Sequence, residues 1–212
     1  DPLTDLVPIS LLNTNPLILL VNPSVKANSV GELIALAKSS PSALNYSSSG
    51  IGGLMFFSAE IFKSKTGTNM THVPYRGGAP ATAAVIAGDV QLVFTNMSDA
   101  VGQLEGGKVR ALGVTTAKRS QSAPSVPTLA EQGVVDFHTE SWNGLFAPKG
   151  TPKPIVDRMA QVAAAMAKDP TVQAQMAKFG SDAVANTPQE YAQMLQRETA
   201  TWAKVIQDIG MK

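Results

Sequence analysis

Apolar positions first come in near-continuous runs, Val7 to Leu12 and Leu17 to Val21, which predict strands buried on both faces with Asn13-Thr14-Asn15-Pro16 as the turn between them. After Asn22-Pro23, Ser29-Val30-Gly31-Glu32 reads as a capping box that opens a helix to about Lys38, closed off by Pro41. The rhythm then becomes strand, small-residue loop, helix, three times over. The first unit has a strand from Ala43 to Tyr46, a loop through Ser47, Ser48, Ser49, Gly50, Ile51, Gly52 and Gly53, and a helix from Leu54 to Lys65 that ends at Gly67. Leu54, Phe57, Ile61 and Phe62 fall at helical spacing along it. The second has a strand from Thr71 to Pro74, a loop of Tyr75, Arg76, Gly77 and Gly78, and a helix from Pro80 to Ala87 stopped by Gly88. The third has a strand from Gln91 to Thr95, a loop of Asn96, Met97 and Ser98, and a helix to about Glu105, followed by a further strand from Arg110 to Thr116.

Strands alternating with helices of this length predict an α/β fold with a mostly parallel sheet and helices on both faces. In such sheets ligands sit outside the carboxyl ends of the strands, where all three loops would gather. The first loop has the chemistry for an anion, since Ser and Gly leave its backbone N–H groups uncovered and the helix behind it adds unpaired amides and the positive end of its dipole.

Beyond Lys118 to Pro127, a polar connection, Thr128-Leu129-Ala130-Glu131 is a second capping box on a short helix ending at Gly133, and Phe137 to Phe146 reads as extended. The last third is helical. Thr151-Pro152 starts a helix to Lys168, Asp169-Pro170 one to Phe179, and Thr187-Pro188-Gln189-Glu190 a last one to about Gly210, each with a cap residue before a first-turn proline. One brief strand, around Ala183-Val184, gives this third no sheet of its own, so it is expected to pack on Val7 to Leu12.

Composition narrows the chemistry. With 44% apolar residues among 212 and a formal charge of +1, the chain has material for a real core and no basic stripe to suit nucleic acid. The absence of cysteine excludes disulfides, thiolate metal sites and cysteine nucleophiles. The longest apolar run, Pro16 to Val21, is too short to span a bilayer, and no signal peptide is expected within the chain, whose start at Asp1-Pro2 reads as the middle of something longer. His72 and His138 lie in separate strand-like runs and read as hydrogen-bonded structural residues rather than as a metal pair. Gly102 to Lys108 matches part of a phosphate-binding loop, but Val109 stands where Ser or Thr is needed and a strand follows. No catalytic pair of carboxylates falls in a loop, so no catalytic residue, metal or cofactor is assigned.

The runs Thr71-His72-Val73-Pro74-Tyr75-Arg76-Gly77-Gly78-Ala79-Pro80-Ala81, Gly88-Asp89-Val90-Gln91-Leu92, Arg110-Ala111-Leu112-Gly113-Val114-Thr115-Thr116-Ala117-Lys118-Arg119-Ser120, Pro127-Thr128-Leu129-Ala130-Glu131 and Ala147-Pro148-Lys149-Gly150-Thr151-Pro152 together resemble the substrate-binding proteins of tripartite tricarboxylate transporters, the Bug or TctC-like family. The resemblance implies a periplasmic-binding-protein-like (type II) two-lobed fold with parallel-rich sheets, and a non-enzymatic periplasmic receptor that captures a small carboxylate between its lobes and delivers it to a membrane permease. A complete member begins with a strand, loop and helix that this chain lacks, so the first lobe is expected to be incomplete. Residues 1–16 would be a remnant strand and hinge, 17–142 the complete second lobe, and 143–212 the helical part of the first. The family's ligand loops fall on Ser47 to Gly53, on Tyr75, Arg76 and Gly77, and on Thr95 and Asn96, with Trp142 as a wall near the crossing between lobes. Relatives continue the first loop with more hydroxyls and then His where this chain has Gly53-Leu54-Met55-Phe56, which favours a mono- or dicarboxylate with an apolar or aromatic body over citrate. Two other classes remain open on the residues alone: the effector-binding domain of a transcription regulator, and a phosphate-handling α/β enzyme.

Overall fold

The computed structural model describes residues 2–41, 43–104 and 106–210. The expected helix end at Glu105, and the terminal residues Asp1 and Lys212 of the expected lobes, lie outside them. The chain divides into two compact units, Asn15–Ser141 and Asp1–Thr14 with Trp142–Lys212.

In order, the elements are α1 (Pro2–Asp5), β1 (Leu6–Val21), α2 (Val30–Ser39), β2 (Asn45–Ser48), α3 (Leu54–Thr66), β3 (Thr71–Pro74), α4 (Gly78–Ala87), β4 (Leu92–Asn96), α5 (Met97–Leu104), β5 (Arg110–Val114), a single 3-10 turn (Ala130–Gln132), β6 (Glu140–Pro148), α6 (Lys153–Lys168), α7 (Pro170–Lys178), β7 (Asp182–Ala183) and α8 (Pro188–Asp208). The two strands expected at the start are one. Asn13-Thr14-Asn15-Pro16 is extended, not a turn, because each half of β1 has its own partners: Asn13 and Thr14 pair with β7, and Leu17 to Val21 pair with β4 and β5. Pro16 stands between the residues paired with β7 and those paired with β4 and β5.

In unit 15–141 the sheet order is β3-β2-β4-β1-β5. β2 is parallel to β3 and to β4, while β1 is antiparallel to both of its neighbours, so the expected parallel sheet carries a reversed strand near its middle. Leu17, Ile18, Leu19, Leu20 and Val21 are all fully buried, which is what five successive apolar residues require of a strand covered on both faces. Helices close both faces. On one, the Tyr46 hydroxyl of β2 donates to Glu60 of α3; on the other, the Ser47 hydroxyl donates to the Ala81 carbonyl of α4.

Local signals placed most helix ends. Ser29 accepts from the Glu32 amide, and Gly67 and Gly88 end α3 and α4 in the left-handed conformation. The capping-box contacts between Thr128 and Glu131 are present, although they close a 3-10 turn rather than an α-helix. Several boundaries differ from expectation, among them β6, which spans Glu140–Pro148 rather than Phe137 to Phe146. β2 begins at Asn45 and takes in Ser47 and Ser48, because the parallel ladder to β3 runs through Ser48↔Pro74. β4 passes straight into α5 with no loop at Asn96-Met97-Ser98, and α4 starts at Gly78, ahead of Pro80. Thr151 does not cap α6: its hydroxyl turns back to the Pro148 carbonyl, and Pro152 is the N-cap.

The other unit contains the first part of β1, flanked by β6 and β7, with α6, α7 and α8. β7 pairs Ala183 with Asn13 and Asp182 with Thr14, so the helical third draws its sheet from β1. Asp169 caps α7, and a complete Thr187–Glu190 capping box opens α8. Its core is small: Ile9, Ala147 and Val156, with a separate aromatic cluster around the fully buried Tyr191.

Candidate functional site: the strand ends of unit 15–141

β2, β3 and β4 end at Ser48, Pro74 and Asn96, and each feeds a helix within a few residues. Their loops are tied together. The Tyr75 amide donates to the Ser48 carbonyl at 2.9 Å, and a Cβ added to Gly78 would lie 2.7 Å from Asp99 Oδ2 and 3.6 Å from Met55 Sδ, so the first turns of α3, α4 and α5 meet at one point.

The starts of α3 and α4 differ electrostatically. α3 opens from Gly53, which has no side chain to cap it, and its first turn carries no acid. The amides of Leu54, Met55 and Phe56 precede any intrahelical partner, the first such bond running from the Phe57 amide to the Gly53 carbonyl at 3.0 Å. This end of α3 has the polarity and donors to hold an anion. α4 also opens from a glycine, Gly77 at φ 125, a conformation closed to other residues, but the Asp99 carboxylate stands against its first residue. Its positive end is thereby already matched by the protein's own acid. Asp99 also accepts from the Thr95 hydroxyl at 3.5 Å.

The loop before α3 is held from below. Ser48 Oγ accepts from the Gly50 amide at 3.1 Å, lies 3.1 Å from the Gly50 carbonyl, and is 2.7 Å from His72 Nε2. Gly50 has φ 125, so the loop reverses there as only glycine readily can. The His72 ring stacks on Tyr46 at 4.9 Å and meets Phe56 at 4.9 Å. Burial is the main cause that holds the His72 imidazole below its ordinary pKa; Glu60 opposes this and Lys63 adds to it. Burial and the bond to Glu60 push the Tyr46 phenol well above its ordinary value.

The residues singled out in the sequence therefore fall into groups. Ser49, Gly50, Ile51, Gly52 and Gly53 form the loop, and Ile51 is 69% exposed at its tip. Ser47 is buried in β2 with its hydroxyl given to α4, and Ser48 is buried with its hydroxyl bound to Gly50 and His72, so neither hydroxyl is a loop group as expected. Tyr75 and Gly77 are half-buried in the second loop; Arg76 is exposed and forms no ion pair among the described residues. Thr95 is fully buried and accepts from Thr82 Oγ1 at 3.0 Å. Asn96 is half-buried and accepts from Ser141 Oγ at 3.1 Å through its Oδ1, which leaves its NH2 group as the donor it can offer. Trp142 belongs to the other unit, where its ring stands edge-on to Tyr191 at 5.9 Å.

His72, Asp99 and Ser141 were missed as site residues. The signal for His72 was present: Tyr46 is its register partner, and Ser48, two residues on, shares that face. Met55 is 3% exposed and Phe56 leans on His72 and Phe57, so the apolar surface the loop presents is Ile51 rather than these two. Among the described residues no three of His, Asp and Glu stand together to hold a metal ion, and no helix is long and apolar enough to cross a membrane.

The family described as tripartite tricarboxylate transporter family receptor, TctC, matches residues 1–211. A protein from the tcbD-tcbE intergenic region of Pseudomonas sp. strain P51 is 32% identical over 204 residues, 95% of this chain and 60% of that protein. BugT of Bordetella pertussis is 33% identical over 211 residues, 99% of this chain and 64% of BugT. The chain thus spans less than two thirds of the length of these curated relatives.

Among solved structures, Rpa4515 of R. palustris with adipate superposes with a TM-score of 0.90 at 35% identity, covering 99% of this chain and 70% of that one. The periplasmic binding protein BugD gives 0.87 at 28%, covering 100% and 72%. MatC from Rhodopseudomonas palustris with bound malate gives 0.83 at 29%, covering 97% and 71%. The fold is that of these periplasmic-binding-protein-like structures, and the matching family is one of transporter receptors. This chain belongs to the tripartite tricarboxylate transporter receptor family, the Bug or TctC-like proteins.

Proposed function

We propose that the protein to which this chain belongs is a periplasmic receptor for a small carboxylate, and that unit 15–141 is its second lobe, holding one acid group of the ligand at the start of α3. The observation that carries this reading is the acid-free, uncapped first turn of α3 behind a loop of Ser49, Gly50, Ile51, Gly52 and Gly53. The donors are the loop and first-turn amides, with the NH2 group of Asn96 beside them. Each charge-assisted hydrogen bond contributes roughly 1.5–3 kcal/mol, so several of them acting together hold the acid group against the cost of ordering the ligand. No nucleophile or acid–base pair is involved; the ligand leaves unchanged, handed to a membrane permease.

Adipate and malate, held by Rpa4515 and MatC, have an acid group at each end of a short chain. The α3 start would hold one of those two ends. Asp99 at the neighbouring helix start disfavours a second acid group on the same unit, and exposed Ile51 favours an apolar or aromatic body. Thermal-shift measurements with adipate, malate, benzoate and citrate test this. Stabilisation by one or more of the first three and none by citrate is the expected result. Stabilisation by citrate alone, or conversion of any bound acid, would reject it.

A further inference from the structure

Ser48 Oγ faces three partners and has one hydrogen. The Gly50 amide donates to it at 3.1 Å, the Gly50 carbonyl lies 3.1 Å away, and His72 Nε2 lies 2.7 Å away. If Nε2 carries no proton, the hydroxyl must choose between Nε2 and the Gly50 carbonyl, and one contact becomes two acceptors facing each other. If Nε2 carries the proton, all three are satisfied: the Gly50 amide and Nε2–H donate to Oγ, and Oγ–H donates to the Gly50 carbonyl. Ser48 is fully buried, so an unmade bond here is costly.

From this geometry we infer that His72 is a positioning residue for the anion loop, donating from Nε2 to Ser48 so that the Ser48 hydroxyl is aimed at Gly50. The consequence runs up the chain. The Gly50 carbonyl also accepts from the Gly53 amide at 3.5 Å, and the Gly53 carbonyl accepts from the Phe57 amide at 3.0 Å, so a bonded path leads from the imidazole to the first turn of α3. The ring is fixed by Tyr46 on one side and Phe56 on the other. Glu60 and Lys63 of α3, which bond to each other at 2.7 Å, are the charged groups acting on it, and the Tyr46 hydroxyl is bound to Glu60. A side chain on the neighbouring strand thereby decides, through Ser48, how the amides of that turn are presented.

This inference rests on the reading of that loop as the carboxylate site, and the test separates the two. In the ligand-free chain, ring-labelled histidine NMR is expected to show a protonated His72 Nε2 whose hydrogen is protected from exchange with water, and Ser48→Ala is expected to abolish that protection. An unprotonated Nε2, or protection that survives Ser48→Ala, overturns the inference whatever the ligand. With adipate as the probe, His72→Phe keeps the ring contacts and removes the donor, and is expected to weaken binding about tenfold, the upper end of the loss of one hydrogen bond. His72→Gln restores an N–H at the Nε2 position and is expected to stay within about threefold of the unaltered chain. Equal affinity of all three overturns the inference; if His72→Phe fails to fold, Ser48→Ala replaces it, with the same tenfold loss expected and an unchanged affinity counted against. Failure of the unaltered chain to bind adipate, malate or benzoate counts against the proposed function, and the ligand-free NMR result then decides the role of His72 alone.

Discussion

The two units bury their apolar residues very differently. Unit 15–141 packs Leu17 to Val21 of β1 between two layers of helices, with Phe62, Leu92, Phe94 and Leu112 fully buried around them. The other unit has Ile9, Ala147 and Val156 and one aromatic cluster, while Ile155, Met159, Val162 and Met166 of α6 are 39–54% exposed. Those four recur at helical spacing, so they form one apolar stripe that the described residues of this unit leave half-exposed. α8, 21 residues long, buries Tyr191 alone among its side chains. An apolar groove of about 560 Å³ between α6 and the segment 183–190 belongs to the same unit. The lesson is that an apolar stripe at helical spacing does not by itself make a core: α6 carries one that stays half-exposed, whereas the continuous run Leu17 to Val21 is wholly buried. The loops that present amides to an anion stand on the well-packed unit, where their geometry is fixed from beneath.

The largest effect expected comes from the centre of that contrast. Leu19→Ala removes a fully buried side chain from the middle strand and is expected to cost about 3–5 kcal/mol, measured by denaturant unfolding, against less than about 0.5 kcal/mol for Val162→Ala on the α6 stripe. Similar costs at the two positions would erase the distinction. Gly144→Ala probes how firmly the sparser unit is packed. Its new Cβ would fall on the Tyr191 hydroxyl, so either Tyr191 is displaced at a cost of about 2–3 kcal/mol, with a change in Trp142 fluorescence, or the cluster is looser than its burial implies.

Smaller effects distinguish support from contact within the site. Ser47→Ala deletes the bond to the Ala81 carbonyl and is expected to lower stability by about 1 kcal/mol while leaving adipate affinity within about twofold. A large loss of affinity would return Ser47 to the ligand. The least effect concerns pH. Burial lowers the pKa of His72 in the fold, so below its ordinary value of 6.5 the unfolded chain takes up the proton first. Its contribution to stability is full above that value and is lost as pH falls through the depressed folded one. Comparing unfolding of the unaltered chain and His72→Gln between pH 7.5 and 5 should show a steeper decline in the former.

Much of the architecture was readable because its signals are local. Ser29-Val30-Gly31-Glu32, Asp169-Pro170 and Thr187-Pro188-Gln189-Glu190 each satisfy helix amides within three residues of themselves, and Gly67 and Gly88 each end a helix by their own backbone freedom. The loop from Ser49 to Gly53 was found for the same reason, since glycine and serine before an apolar periodic run can be read one residue at a time. Asn13-Thr14-Asn15-Pro16 misled the reading because its composition is that of a turn, whereas its conformation is set by partners that arrive from residues 92–96, 110–114 and 182–183.

By itself the sequence determined that strands and helices alternate, where most helices begin, and that one loop would offer bare amides at a helix start. Tertiary structure alone decided that β1 runs antiparallel through the sheet, that Ser47 and Ser48 turn inward to opposite faces, and that His72 comes to rest under Gly50. The physical reason is range. Caps and turns close over a few residues, but strand direction and register depend on pairing with distant segments, and a shift of one residue exchanges every side chain between the two faces.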